Sequence, residues 1–295
     1  MAIYGEPIDG NEPEHHDPSR RTARFAWGAV VVILVGVVGL VIYALAGTPS
    51  TPQTVQRTMT ADDVVSALTK VPPSVFDSVG VNSPEAQLVP PTVLTGQPSL
   101  VSLGKPEVLF VGAEFCPFCG SERWPLIVAL SRFGHFSTLR NMQSAETSVF
   151  PGIQTFSFVG TSYSSPYLTL TCVELFSDAV NAHGVFTRIA RLSPAQSALV
   201  NRYGATGTTT GSLPFVDIDN QMVTSTSGYS PAVIMRQSQA AIAGELSQTH
   251  ARTGQAIVAS ANYLTAGICA ATSQQPGDVC ASKGVRLAAQ SLGMG

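Results

Sequence analysis

Charged residues are scarce in this 295-residue chain, because Asp, Glu, Lys and Arg together make up only 12% of it. The 16 basic residues nearly balance the 19 acidic ones, which leaves a formal net charge of −3. No basic stripe is present, so the sequence gives no electrostatic support for nucleic-acid binding. Internal repeats are also missing. We therefore expect no nucleic-acid partner.

Cysteine is rare as well, with five residues, and a single Cys-x-x-Cys pair is formed by Cys116 and Cys119. A structural zinc site needs four ligands at tetrahedral spacing. A second such pair is missing and no histidine lies near the first, which argues against zinc. A purely structural Cys116–Cys119 disulfide would close a very short loop and constrain the unfolded chain little. No metal or organic cofactor is expected.

Hydrophobic residues reach 44%, and one uncharged run at 25–46 explains part of that excess. Twenty-two helical residues at about 1.5 Å each can cross the ~30 Å hydrocarbon layer of a bilayer. The run therefore predicts a transmembrane helix. The alternative is a cleaved signal peptide, because small residues follow in "ALAGTPS", although the apolar part of such peptides is usually about 7–15 residues long.

Flanking charges predict the orientation of this helix. Arg20, Arg21 and Arg24 precede it, and the first positive charge after it is Arg57. The positive-inside rule places residues 1–24 in the cytoplasm and the rest of the chain outside it. We therefore expect a single-pass protein of the cell membrane with an extracytoplasmic domain, where disulfides persist.

The chain after the membrane helix divides into four parts by composition. The Pro/Thr-rich linker is followed by a short helix with an irregular, proline-rich arm, then by a domain of strands and helices, and finally by a helical extension. These parts are 47–60, 61–106, 107–250 and 251–295.

Several elements of the domain are predicted from local patterns. An apolar run predicts a central strand buried on both faces, and the stretch after the cysteine pair predicts a helix. Ser193 caps a later helix, and Asp219-Asn220 forms the turn of a late hairpin. Two strand candidates, 155–163 and 167–176, are expected to pair with each other as a hairpin. The central strand is predicted at 107–113 and the helix after the cysteine pair at 117–133. Two later helices are predicted at 231–247 and 253–271.

The cysteine pair lies where a strand meets a helix, in "GAEFCPFCGSERW". A cysteine at a helix N-terminus faces free N–H groups and the positive end of the helix dipole, and both favour the thiolate. Pro117 suits the first helical turn, where a missing N–H costs nothing. Cys119 lies one turn further in and could attack the first sulfur in a mixed disulfide. This arrangement favours thiol–disulfide exchange.

The "AEFC" lead-in, the Cys-x-x-Cys pair and the proline-containing helix resemble thioredoxin. The longer run "GKPEVLFVGAEFCPFCGSERWPLIVALSRFG", with "ANYLTAGIC" and "QPGDVC", resembles the membrane-anchored, thioredoxin-like proteins of domain-of-unknown-function family nine-two-nine. The resemblance covers most of 60–285. It implies an α/β, thioredoxin-like fold with an inserted β-hairpin, placed at 150–175, and a C-terminal helical extension, preceded by the transmembrane helix.

The resemblance also assigns roles. It implies that Cys116 is the nucleophile and Cys119 the resolving thiol, and that a cis Leu213-Pro214 bond presents backbone to the substrate. Pro117 and Phe118 complete the expected substrate-contacting set. Where thioredoxin has a buried acid, six residues before its first cysteine, this chain has Phe110. The proton acceptor for Cys119 is therefore left open, because Glu114 does not clearly replace that acid.

The remaining cysteines have simpler interpretations. Cys269 and Cys280 flank a Pro-Gly turn, and a bridge between them would join a helix end to the next element as a structural disulfide. Cys172 lies in an apolar strand and is interpreted as a small buried residue.

Together these observations predict a membrane-anchored extracytoplasmic thiol–disulfide oxidoreductase, more an oxidant or isomerase than a reductant. Its partners would be protein thiols or disulfides and a membrane redox partner. The alternative is a non-catalytic binding or assembly module with the same fold.

Overall fold

The computed structural model describes residues 59–294, apart from 82, 84–85 and 205–212. The predicted membrane helix at 25–46, the cytoplasmic tail and nearly all of the linker lie outside the described residues. Within the described part, no helix has both the length and the apolar character that crossing a bilayer requires.

The protein has a mixed α/β fold built on a mixed sheet. Its helices are α1 (Ala61–Thr69), α2 (Pro73–Val79), α3 (Pro117–Leu130), α4 (Pro194–Tyr203), α5 (Gln239–Glu245), α6 (Arg252–Ala271), α7 (Gly277–Cys280) and α8 (Lys283–Ser291). Its strands are β1 (Thr92–Val93), β2 (Val101–Ser102), β3 (Lys105–Gly112), β4 (His135–Phe136), β5 (Arg140–Gln143), β6 (Gln154–Ser157), β7 (Tyr163–Ser164), β8 (Thr169–Glu174), β9 (Phe176–Val180), β10 (Phe186–Arg188), β11 (Phe215–Ile218) and β12 (Met222–Thr224).

Strand β3 lies at the centre of the main sheet. It pairs in parallel with β8 on one side and antiparallel with β11 on the other, and β12 and β1 continue the sheet beyond β11. Val108 and Phe110 belong to the larger apolar cluster, which includes α3 and α6, whereas Leu109 and Val111 belong to a second cluster with Val200 of α4. The predicted strand is therefore buried on both faces, as expected from its continuous apolar run.

Local capping signals explain where several helices begin. Thr60 and Asp63 form a reciprocal capping box at the start of α1, and Ser193 forms one with Gln196 at the start of α4. Asp219 and Asn220 both adopt positive φ values, 54° and 53°, between β11 and β12. This is the backbone that a tight two-residue hairpin turn requires, and Asn and Asp tolerate it well.

The predicted pairing of 155–163 with 167–176 is wrong. β6 pairs with β5, β7 pairs with β4, and β8 joins the main sheet beside β3. The inserted hairpin expected at 150–175 is therefore absent, and hairpins form instead between β5 and β6 and between β9 and β10. β8 is apolar enough to be buried in a sheet, and its best partner lies across a helical crossover rather than next to it in the chain.

Two other expectations also need correction. The predicted helix at 231–247 is divided into a 3-10 turn, Pro231–Val233, and the short α5, because Arg236 adopts a φ of 64° and Ser238 caps a new helix. The arm expected to be irregular contains α2 and two short strands, β1 and β2, which join the sheet. Its prolines allow helix starts and strand edges as well as loops.

Candidate active site

The turn between β3 and α3 carries the cysteine pair and is held by backbone hydrogen bonds on both sides. The Glu114 N–H donates to the carbonyl of Phe176 at 2.9 Å, and the Ala145 N–H donates to the carbonyl of Phe115 at 3.0 Å. Cys116 is the N-cap of α3, with φ −79° and ψ 122°, and Pro117 is the first helical residue. The geometry of Cys116 is thus fixed by its neighbours before any partner binds.

The Cys116 sulfur accepts a hydrogen bond from the backbone N–H of Cys119 at 3.3 Å. This contact is the usual N-cap interaction with sulfur in place of oxygen. The pKa of Cys116 is lowered, chiefly by a hydrogen bond from the Cys119 thiol. The Cys119 N–H and the positive charge of Arg123 add to the effect, although burial opposes it. Cys116 is 7% exposed, which leaves a small opening toward solvent.

Cys119 lies in the opposite environment. It is fully buried, and burial raises its pKa well above the ordinary value, with further contributions from its hydrogen bond to Cys116 and from the charge on that sulfur. The two thiols are therefore unequal, and Cys116 loses its proton more readily than Cys119. Both residues are free thiols in this structure, so the geometry is that of the reduced pair.

Leu213 and Pro214 lie directly beside Cys116, although 97 residues separate Leu213 from it. The Cys116 sulfur is 3.8 Å from the Leu213 carbonyl oxygen, and the Leu213–Pro214 bond is cis. The β3–β11 register explains this proximity, because Phe215 pairs with Val111 and the chain just before it must therefore approach the β3–α3 turn.

Pro117 and Phe118 occupy different positions relative to the surface. Pro117 is buried, whereas Phe118 is half-buried and packs edge-on against Phe150 with ring centroids 5.6 Å apart. The described structure thus places Phe118 at the rim of the site and Pro117 inside it. Of these two, only Phe118 has a surface that a partner could contact.

A buried ion pair accompanies the cysteines and was not found from the sequence. Arg123 donates from Nη2 to both carboxylate oxygens of Glu174 at 2.9 Å and from Nε to Oε1 at 3.0 Å. Nη2 also donates to the carbonyl of Ala113 at 3.0 Å, just before the cysteine turn. Both side chains are buried, Arg123 completely. Burial alone would lower the pKa of Arg123, but Glu174 and the two cysteines outweigh it.

The fold explains why these two charges meet. Glu174 is the last residue of β8 and pairs with Gly112, the last residue of β3. Glycine leaves space for the Glu174 carboxylate here, because a Cβ atom on residue 112 would lie 3.3 Å from it. Arg123 follows Cys119 by four residues on α3, so both point from the same face of the helix. That spacing was a signal available in the sequence. No signal in the sequence indicated that Glu174, 51 residues away, would be the partner of Arg123.

The other cysteines lie apart from this pair. Cys172 is a free thiol in β8, opposite Phe110 of β3, and burial raises its pKa. Cys269 and Cys280 are joined by a disulfide that links the end of α6 to α7. Among residues 59–294 as described, no group of three or more His, Cys, Asp or Glu side chains could hold a metal ion.

The comparison with known families gives one result. Residues 93–270 match the family described as "Domain of unknown function (DUF929)", and the match covers more than half of the chain. The chain therefore belongs to this family. The matched range includes Cys116, Cys119, Leu213 and Pro214. No curated protein and no solved structure matches the chain.

Proposed function

We propose that this member of the DUF929 family is a thiol–disulfide oxidoreductase with a thioredoxin-like fold, anchored in the membrane with its domain outside the cytoplasm. The observation that carries the proposal is the inequality of the two cysteines. Cys116 caps α3 with a lowered pKa, and Cys119, one turn further in, is buried with a raised one. An attacking sulfur and a protected resolving sulfur are what exchange chemistry needs.

The order of the elements supports the thioredoxin-like part of the proposal. β3, α3 and β8 form a parallel β-α-β unit, and β11 and β12 follow as an antiparallel pair beside β3. The strand order β8–β3–β11–β12, with α6 packed on the face that carries α3, is the arrangement that the resemblance to thioredoxin implies. The Leu213 carbonyl beside Cys116 occupies the position expected of the substrate-docking backbone.

In the oxidising direction, a substrate thiolate attacks the Cys116 sulfur of a Cys116–Cys119 disulfide, and Cys119 leaves as a thiolate. A second thiolate of the substrate then attacks the substrate sulfur of this mixed disulfide. The attack forms a disulfide in the substrate and releases the Cys116 thiolate. Two electrons pass from the substrate to the pair, and a membrane protein with its own disulfide would remove them. Isomerisation uses the same mixed disulfide without net electron transfer.

The environment of the pair supports an oxidant or isomerase over a reductant. Stabilising the Cys116 thiolate stabilises the reduced form, and this raises the reduction potential, by about 30 mV for every 1.4 kcal/mol. The hydrogen bonds from Cys119 and the charge of Arg123 both act in this direction.

Single cysteine variants of the purified full-length protein test the proposal. Cys119→Ser should leave a reactive Cys116 that holds substrates as long-lived mixed disulfides on a non-reducing gel. Cys116→Ser should hold none, because the remaining sulfur is buried. Alkylation rates measured against pH should give Cys116 a pKa below about 8.5. Equal trapping by both variants would contradict the proposal.

The reduction potential separates this function from a non-catalytic binding module. A purely structural disulfide has a potential below about −300 mV, whereas an exchanging pair lies well above it. Equilibration of the wild-type protein with glutathione or dithiothreitol buffers gives this value. A potential in the structural range would favour the binding module.

The membrane topology needs its own test. A single cysteine introduced as Val55→Cys, in a chain whose Cys116 and Cys119 are replaced by Ser, should react with an impermeant thiol reagent on intact cells. Reaction only after lysis would place the domain in the cytoplasm.

A further inference from the structure

A groove of about 350 Å³ lies between the β9–β10 hairpin region and α4. Its apolar lining is formed by Leu175, Phe176, Leu192 and Val200. The chain after β10 is tied to the end of β8, because the Ile189 N–H donates to the Leu175 carbonyl at 3.0 Å. The groove is therefore bounded by segments that are fixed to the main sheet.

Two residues next to the Cys116 sulfur contact residues that line this groove. Leu213, whose carbonyl lies 3.8 Å from the Cys116 sulfur, packs against the same apolar cluster that includes Leu175 and Val200. On the other side, Phe115, which precedes Cys116, contacts the Phe176 ring with centroids 6.0 Å apart. The groove and the cysteine turn therefore share packing neighbours, Leu213 and Phe115, on two sides of Cys116.

Among the residues that the structure describes, the polar lining of the groove carries positive charge and contains no acidic residue. Arg188 and Arg191 are exposed, and neither guanidinium forms a hydrogen bond or an ion pair with a side chain or carbonyl of the residues that the structure describes. The Arg188 guanidinium lies over the Phe176 ring, 4.4 Å from its centroid. A cation held on a ring face keeps the N–H groups at its edge available to a carboxylate. Ser197 and Asn201 of α4 complete the polar lining.

We infer that this groove binds the segment of a protein substrate that flanks its reactive cysteine, and that it selects segments with an acidic side chain beside an apolar one. The apolar side chain would pack against Leu192 and Val200, and the carboxylate would pair with Arg188 and Arg191. Charge complementarity identifies the occupant, because two cations line an apolar groove to which no described lining residue supplies a counter-charge. The inference rests on the proposed exchange function.

The test uses the full-length Cys119→Ser variant in discs of neutral lipid, so that the reaction stops at the mixed disulfide. Two peptides with one cysteine, activated as the neutral thiopyridine disulfide, differ only in Glu or Gln placed near that cysteine. Each rate is divided by the rate of the same protein with neutral dipyridyl disulfide. The Glu peptide should react about three- to tenfold faster than the Gln peptide, as expected for two exposed ion pairs. The ratio should fall in 1 M salt, where the Debye length is about 3 Å.

Substitutions then assign the preference to the groove. Arg188→Gln with Arg191→Gln should bring the ratio of the Glu to the Gln rate to about one. Arg188→Glu with Arg191→Glu should bring this ratio below one, and a third peptide with Lys at the same position should then react fastest. Arg202→Gln is the matched control, because Arg202 is an exposed arginine of α4 that does not line the groove. It should keep the wild-type ratio.

The outcomes distinguish the two proposals. If the protein does not react with dipyridyl disulfide, the exchange function fails. If it reacts but the Glu and Gln peptides are equivalent, exchange stands and the groove inference is overturned. If the arginine substitutions weaken association with phosphatidylserine vesicles and leave the peptide ratio unchanged, the groove is a lipid headgroup site and the inference is equally overturned.

Discussion

The guanidinium of Arg123 and the carboxylate of Glu174 form a buried pair, 2.9 Å apart, within electrostatic reach of Cys116 and Cys119. Arg123 lowers the pKa of both cysteines, whereas Glu174 opposes this at Cys119. Through this pair, a residue at the end of β8 influences the pKa values of the two cysteines.

This pair should affect both stability and cysteine reactivity. Glu174→Gln leaves Arg123 buried without a counter-charge, and the free energy of unfolding should fall by about 3–5 kcal/mol. Replacing both, as Arg123→Met with Glu174→Leu, should restore much of that loss, because no unpaired charge remains. The same double variant should raise the pKa of Cys116 above its wild-type value. Urea denaturation and alkylation rates against pH measure the two effects.

Arg132 offers a matched control for that experiment. It is a second largely buried arginine, 4.0 Å from the centroid of the Phe76 ring, and it donates to Thr265 and Ser282. Arg132→Met should lower stability while the pKa of Cys116 stays at the wild-type value. If both arginine replacements shift Cys116 equally, the charge of Arg123 has no specific role at the cysteines.

The free energy of unfolding should decrease as pH rises, because the buried carboxyl group of Glu122 has a raised pKa. Its carboxyl group is buried on α3, and burial raises its pKa to about 8, although the Gly228 N–H donates to it at 2.7 Å. Between about pH 4.5 and 8 the folded state holds a proton that the unfolded state has lost. The stability present below this window is therefore lost as pH rises through it, by up to about 1.4 kcal/mol per pH unit.

Glu122→Gln isolates this contribution. The Gln carbonyl can still accept from Gly228, but the side chain does not ionise. The variant should gain stability relative to wild type between pH 6 and 8, as measured by urea midpoints. Burial also raises the pKa of Asp217, to about 6. Its contribution to the pH dependence is the same in both proteins, so it cancels in the difference between them. Parallel curves for the two proteins would show that Glu122 is not neutral in the folded state.

The Cys269–Cys280 disulfide should affect stability and leave exchange intact. It joins residues 11 apart in sequence at the end of α6, and closing a loop of this length contributes roughly 3 kcal/mol in the chain-entropy model. Replacing both cysteines with Ser should lower the melting temperature and preserve the rate of mixed-disulfide formation at Cys116. An equal loss of exchange in folded protein would mean that the bridge also supports the geometry of the Cys116–Cys119 site.

Asn262 should be a sensitive point in the packing of the N-terminal helices. Its side-chain amide donates to the carbonyls of Phe76 and Gly80 at 3.0 and 2.8 Å, which satisfies the C-terminal end of α2 from within α6. Asn262→Asp keeps the shape but cannot satisfy both carbonyls, because a protonated carboxyl group donates one hydrogen bond and a carboxylate none, and we expect a loss of at least about 1–3 kcal/mol in unfolding free energy. Asn262→Ser provides a smaller donor as the comparison. A neutral effect of Asp would show that the packing of α2 does not depend on the two hydrogen bonds from the amide.

The cysteine helix and the late hairpin could be predicted because their signals are local. Cys116 as N-cap and Pro117 at the first turn specify where α3 begins, and Asp219-Asn220 tolerates the positive φ values of the turn. The pairing of β8 could not be predicted in the same way. An apolar strand can satisfy its backbone against any free edge, and the nearest candidate in the chain was the wrong one.

The sequence by itself determined that two unequal cysteines lie at the start of a helix, because capping, proline placement and spacing act within one turn of backbone. Only the tertiary structure decided what surrounds them. The β3–β11 register brings the Leu213 carbonyl to Cys116, and the β3–β8 register brings Glu174 to Arg123. These contacts join residues 97 and 51 positions apart. Strand register depends on how both faces of the whole sheet are buried, and no short stretch of sequence contains that information.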